Sequence, residues 1–113
     1  MKTFVVVTLQ VEGTHRWEEC PIEEVSYLRN DHRHMFHIKA TKAVSHDDRD
    51  IEIIQLKHEI RTYLGKYFKR ESQLCVFGKM SCEMIAKELM DEFQLSSCEV
   101  LEDGENGAIV TRN

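Results

Sequence analysis

Apolar and polar positions along the first half of the chain predict two long β-strands. Residues 3–12 are rich in β-branched side chains, and the apolar run Val5–Val7 favours a strand that is buried on both faces. Residues 32–46 predict a second strand, because apolar and polar side chains alternate there. The predicted inner face of that strand carries His32, His34, Phe36, Ile38 and Ala40, and the opposite parity is mostly polar.

The second half of the chain shows helical spacing and then another strand pattern. Apolar residues recur every three or four positions over 50–68 and over 81–93, which predicts two amphipathic helices, the second with Ser81 as its N-cap. Pro21 is placed to begin a short helix over 20–28. Residues 98–110 predict a hairpin with its turn in Gly104–Gly107. The order predicts one α+β domain over 1–113, an antiparallel four-stranded sheet (ββααββ) with two helices on one face.

Composition narrows the class of protein. With 113 residues, 42% hydrophobic and 31% charged, the chain has the make-up of a globular domain rather than a disordered one. A net charge of −5 argues against a general nucleic-acid binder. The longest purely apolar run, Phe4–Val7, is far too short to span a membrane, and we expect a cytoplasmic protein. The four cysteines form no C-x-x-C pair and are expected to be free thiols.

Three histidines have the spacing of a metal site. His32 and His34 lie at i and i+2 on a strand, so their side chains leave the same face roughly 7 Å apart. His15 follows the first predicted strand, and antiparallel pairing of the two strands brings it beside them. Three histidines with an open position are typical of catalytic zinc. The alternative is strand or loop histidines without a metal, which is the expectation for His37, His46 and His58.

Glu102 is a charged residue on a predicted inner face. It shares the parity of Cys98 and Val100 in the first strand of the hairpin. A carboxylate in that position can accept two parallel N–H donors from a ligand, a geometry that a pterin or purine edge offers. The alternative is that Glu102 ends the strand in solvent.

Taken in order, these motifs resemble the 6-pyruvoyl-tetrahydropterin synthase and 6-carboxy-tetrahydropterin synthase family, which has the T-fold. The resemblance covers nearly the whole chain. It rests on His15, the triplet His32-Arg33-His34, the helix opening Met80–Glu83, the strand end Cys98–Asp103 and the following Asn106–Val110. The family carries H-G-H in place of the histidine triplet, P-T-S/A-E at the helix opening and V-x-V-x-E-T at the strand end.

The resemblance implies a zinc-dependent lyase. His15, His32 and His34 would bind Zn²⁺, Glu102 would anchor the pterin ring, and Ser81 would lie near it. The substrate would be dihydroneopterin triphosphate, and the product 6-pyruvoyl- or 6-carboxy-tetrahydropterin, the latter on the queuosine route. Family members form trimers that stack into hexamers, so the resemblance also implies a homo-oligomer.

The acid–base residues of the family have no direct counterpart in this chain. The catalytic cysteine of the family lies four to six residues before the H-G-H motif, whereas Cys20 of this chain lies twelve residues before His32. The L-D-H segment of the family corresponds here to residues 69–79, which contain no histidine and no aspartate. Cys20, Glu23 and Glu24 are therefore the candidate bases. Two alternatives to the lyase stay open: a non-catalytic T-fold protein that binds a pterin, purine or nucleotide, and an α+β oligomer whose histidines are incidental.

Overall fold

Two long strands form the centre of the sheet in a computed structural model that describes residues 1–113. The elements in chain order are β1 (Thr3–His15), a 3₁₀ helix (Glu23–Arg29), β2 (His32–Val44), α1 (Ile53–Leu64), a 3₁₀ turn (Gly65–Tyr67), β3 (Cys75–Gly78), α2 (Cys82–Phe93), β4 (Ser97–Glu102) and β5 (Asn106–Thr111). β1 and β2 pair antiparallel along their whole length. That pairing places the end of β1 beside the start of β2, as the sequence predicts.

The sheet has five strands in the order β3-β1-β2-β4-β5, so the predicted four-stranded antiparallel sheet is wrong. The additional strand is β3, which pairs parallel to the end of β1. It has four residues, a run too short to show a period of two, and its apolar sequence fits core packing equally well. The α+β class is confirmed, with a mixed sheet in place of an antiparallel one.

One face of the sheet is buried and the other is open. Alternate residues of β1 and β2 pack with both helices in a cluster of 19 buried residues, which contains Leu9, Phe36 and Ile38 from the strands and Ile60 and Leu89 from the helices. On the opposite face Val6 is 45% exposed, so the expectation that β1 is buried on both faces is wrong. The run of three valines reflects β-propensity rather than two-sided burial.

Both α-helices begin at side-chain caps. Ser81 accepts the backbone N–H of Met84, which confirms it as the N-cap of α2. α1 begins later than predicted, after Glu52, whose carboxylate accepts the N–H groups of Ile54 and Gln55. These backbone hydrogen bonds hold the pKa of Glu52 below its usual value.

Neither helix combines the length and the apolar character that a membrane span requires.

The cysteines are unpaired and buried. Burial raises the pKa of Cys75 to about 11 and that of Cys98 to about 12, so both remain neutral thiols at physiological pH. They pack as small apolar side chains in the core.

The hairpin of β4 and β5 turns at Asp103 and Gly104, one residue earlier than predicted, and both have left-handed backbone with φ of 57° and 72°. Gly107 is already part of β5 and approaches the backbone of β4. A Cβ atom at position 107 would lie 1.8 Å from the carbonyl oxygen of Val100. Gly107 is therefore required for strand pairing beside Glu102.

We expect Gly107→Ala to lower the free energy of unfolding by about 3 kcal/mol, because the added Cβ would meet backbone atoms of β4, which is also paired with β2 on its other side. Gly65→Ala is the matched control. Gly65 has helical φ and ψ, and an added Cβ would meet only the Phe68 ring at 3.7 Å. That substitution should stabilise the protein by about 0.4–1 kcal/mol. Urea titrations measure both values, and similar values for the two variants would contradict the prediction.

Candidate metal centre

The paired ends of β1 and β2 carry the three predicted histidines. His15 lies directly opposite His32, and Gly13 lies opposite His34. An added Cβ at Gly13 would come within 3.0 Å of the Phe36 and Phe77 rings. The glycine therefore lets these two rings pack closely behind the histidines.

The histidines converge with one carboxylate. His15, His32, His34 and Glu102 each offer a ligand atom, and these four atoms all lie within 4.8 Å of one another. The imidazole centroids are 4.5–5.6 Å apart. We call these four residues the His₃Glu cluster. It could hold a metal ion, and imidazole nitrogen with carboxylate oxygen is a donor set used by zinc.

Each imidazole of the cluster is held by its Nδ1 atom. The partners are the carbonyl oxygen of Met80 at 2.8 Å from His15, the carbonyl oxygen of Asn30 at 2.9 Å from His32, and Oδ2 of Asp103 at 2.7 Å from His34. Carbonyl and carboxylate oxygens only accept, so Nδ1 of each ring must donate and carries the proton. A neutral ring is then left with its lone pair on Nε2, the atom through which it can bind a metal.

Two of these Nε2 atoms are buried without a hydrogen-bond partner, namely those of His15 and His34. Nε2 of His15 lies 2.8 Å from Oε2 of Glu102 but outside hydrogen-bond geometry, and Nε2 of His34 lies 3.5 Å from Oε1. In the neutral Nδ1–H form, the lone pairs of these Nε2 atoms face a carboxylate, an arrangement that repels unless a cation lies between them. These unpartnered nitrogens fit a bound metal ion.

Glu102 is turned towards the histidines. It pairs with Phe36 in the register of β4 against β2, and its side chain is 28% exposed. The Cys82 thiol lies 3.7 Å from Oε2 as a donor. Burial, with a smaller effect of Glu102, raises the pKa of Cys82 to about 12, so this residue is a neutral thiol in the metal-free protein at neutral pH.

Asp103 is the carboxylate that the sequence analysis missed. Its pKa is held below the usual value first by the N–H of Met35 and then by the hydrogen bond with His34. The only sequence signal for it is its position directly after Glu102, which by strand parity alone points it to the other face.

A cavity of about 520 Å³ opens beside the cluster. That volume is within the range of small-molecule sites. Its wall combines apolar and cationic side chains with the opening of α2, and the lining includes His15, His32, Glu102, Ser81, Trp17, Leu28, Met80, Met84, Arg16 and Lys79. Ser81 therefore lies in the same cavity as Glu102.

The three predicted bases lie outside the cavity beside the cluster. Cys20 is buried, and its thiol is directed to the carbonyl oxygens of Ile22 and Val25. Glu23 and Glu24 are exposed on the 3₁₀ helix. None of the three lines the cavity beside the cluster. The structure thus gathers the predicted metal and substrate residues and leaves the predicted bases apart.

The remaining histidines lie outside the cluster. His58 is exposed on α1, and His46 is 3.5 Å from Asp50 with most of its ring in solvent.

Comparison with protein-family models and with curated proteins gives no match to this chain.

Proposed function

We propose that this protein is a zinc-dependent lyase that converts dihydroneopterin triphosphate to 6-carboxy- or 6-pyruvoyl-tetrahydropterin. The observation that carries the proposal is the set of three imidazoles whose Nδ1 atoms are all held by acceptors and which offer, with Glu102, ligand atoms within 4.8 Å of one another. His15, His32 and His34 would hold the zinc. When bound, zinc supplies a Lewis acid that polarises oxygen atoms of a substrate.

The cavity supports a substrate with a flat heterocycle and an anionic tail. Trp17, Leu28 and Met84 give it apolar surface, and Arg16 and Lys79 supply positive charge. Carboxylates neutralise part of this charge: Glu18 pairs with Arg16 at 2.6 Å and with Lys79 at 3.1 Å, Asp31 pairs with Arg16 at 3.1 Å, and Glu83 also lines the cavity. A phosphate group would compete with Glu18 for the same two cations.

Glu102 has two available roles in this site. Its carboxylate would either complete the set of metal ligands or accept N–H groups of the pterin edge. Its position beside both the histidines and Ser81 is compatible with each. The base that moves protons in the reaction would be Cys20, Glu23 or Glu24, which stay predictions, as does the trimeric or hexameric assembly.

A second candidate function is a binding protein for a pterin, purine or nucleotide without turnover. The observation that favours it is that Cys20, Glu23 and Glu24 lie outside the cavity lining. Such a protein would keep the His₃Glu cluster and the cavity and lack proton transfer.

The test uses untagged protein that is stripped with a chelator and resupplied with zinc. Elemental analysis should find about one zinc per chain, and chromatography should find the pterin product and released triphosphate. Glu102→Gln should abolish turnover, whereas Glu99→Gln, which changes the opposite face of the same strand, should not.

Each outcome of that test separates the candidates. Zinc with turnover supports the lyase, and zinc with ligand binding but no product supports the binding protein. Retention of zinc by Glu102→Gln identifies Glu102 as the anchor, and loss identifies it as a ligand. Absence of zinc from the wild type contradicts the lyase.

A further inference from the structure

The three imidazoles of the His₃Glu cluster do not have equivalent supports. His15 and His32 are held by neutral backbone carbonyls, but His34 is held by the carboxylate of Asp103 at 2.7 Å. A charged acceptor forms a stronger hydrogen bond than a neutral one and pushes electron density through the ring to the other nitrogen. Nε2 of His34 is therefore the most electron-rich of the three nitrogens available to a metal.

Asp103 is itself fixed by the backbone of β2. Its N–H donates to the carbonyl oxygen of Met35 at 2.8 Å, and its Oδ1 accepts the N–H of Met35 at 3.0 Å. Its backbone is in the left-handed region, with φ of 57°, which aspartate and asparagine tolerate better than most residues. The two hydrogen bonds with Met35 thus fix the position of the carboxylate beside His34.

We propose that Asp103 is a positioning residue for the metal centre: it fixes His34 in the Nδ1–H tautomer and raises the affinity of the cluster for zinc. This inference rests on the proposed function, because it requires that the cluster binds a metal.

A purely structural role in the hairpin turn does not account for all the contacts. The turn requires the left-handed backbone and the two hydrogen bonds with Met35, and an asparagine would provide both. Only the second oxygen, Oδ2, contacts the ring of His34. The two roles therefore separate at that single atom.

Asp103→Asn tests this separation. The amide oxygen replaces Oδ1 towards the N–H of Met35, so the amide NH₂ faces Nδ1 of His34. A donor there favours the opposite tautomer, with the proton on Nε2, where it blocks metal binding. Long-range ¹⁵N–¹H NMR spectra of the metal-free protein should show His34 changing from Nδ1–H to Nε2–H, while His15 and His32 stay unchanged.

Zinc affinity is the second readout, measured by competition with a chromophoric chelator. Asp103→Asn should weaken zinc binding by about 10–100-fold. Asp103→Gly, which suits the left-handed backbone and leaves Nδ1 to water, should weaken it less. Asp48→Asn is the matched control, because Asp48 is an exposed carboxylate that pairs with Arg49 and lies outside the His₃Glu cluster.

The ranking distinguishes positioning from a structural effect on the turn. A zinc affinity that decreases from the wild type to the glycine variant and again to the asparagine variant supports the proposal. Equal zinc affinity for wild type and Asp103→Asn, or an unchanged His34 tautomer, overturns it while the metal centre stands. Absence of zinc binding by the wild type overturns the metal centre, and this inference with it. Thermal unfolding of each variant identifies any that fail to fold, and the glycine variant then supplies the comparison.

Discussion

Zinc is expected to raise the melting temperature of the wild-type protein by roughly 10–20 °C at a free concentration about 1,000 times the dissociation constant. Binding to the folded state alone adds about 4 kcal/mol under that condition. A domain of this size gains roughly 3–5 °C for each kcal/mol. The unfolded chain keeps only His32 and His34 close together and leaves His15 and Glu102 distant in sequence, so it offers no complete site. Differential scanning calorimetry of chelator-stripped protein, with and without zinc, measures the shift.

His32→Ala should remove most of this shift. The ring of His32 is only partly buried, and its one hydrogen bond is to the carbonyl oxygen of Asn30, so the metal-free variant should fold with a melting temperature near that of the wild type. His46→Ala is the control, since the ring of His46 is exposed and lies outside the cluster. A full zinc shift in His32→Ala would place any bound metal elsewhere and contradict the site.

The histidines of the His₃Glu cluster could be predicted because strand parity determines which side chains share a face. His32 and His34 have the same parity as Phe36, and Phe36 is fully buried, so the histidines lie on the inner face at its partly exposed end. His15 joins them through the register of β1 against β2. One alternating strand, together with antiparallel pairing to the strand before it, thus contained enough information to place three residues.

The strand β3, the role of Asp103 and the hydrogen bonds of the histidines depend on tertiary contacts, which the spacing of apolar residues in the sequence does not reveal. β3 is a four-residue strand, and its parallel pairing with β1 is decided by how residues 65–74 return the chain to the sheet edge. Asp103 reaches His34 because the left-handed turn reverses the direction that strand parity assigns to it. The hydrogen bonds of His15 and His32 to backbone carbonyls likewise depend on tertiary structure, since any residue supplies a carbonyl.

Burial also explains why the predicted helices were easier to place than the predicted bases. The apolar positions of α1 and α2 must pack on the inner face of the sheet, so their spacing constrains where they lie. Glu23 and Glu24 are exposed and Cys20 packs against its own loop, so no periodic pattern ties them to the cluster.

Phe36→Ala is expected to lower the free energy of unfolding by about 3–5 kcal/mol, the usual range for removing a buried aromatic ring. Phe36 has no exposed surface, and its ring makes edge-to-face contacts with His15, His34 and Phe77 at centroid distances of 5.1, 5.8 and 5.2 Å. Phe4→Ala is the matched control, because Phe4 lies on the open face of the same sheet and is 43% exposed. Its cost should stay below about 1 kcal/mol.

Because the ring of Phe36 contacts two of the three proposed histidine ligands, its loss should also weaken zinc binding, about tenfold or more. Phe36→Leu separates the two effects: it refills most of the volume and should recover stability, yet it lacks the flat edge that holds the two imidazoles at their present angles. Chemical denaturation and chelator competition on the same samples measure both quantities. Recovery of stability by leucine with full zinc affinity would show that the strands alone orient the histidines, and that the aromatic ring only fills the core.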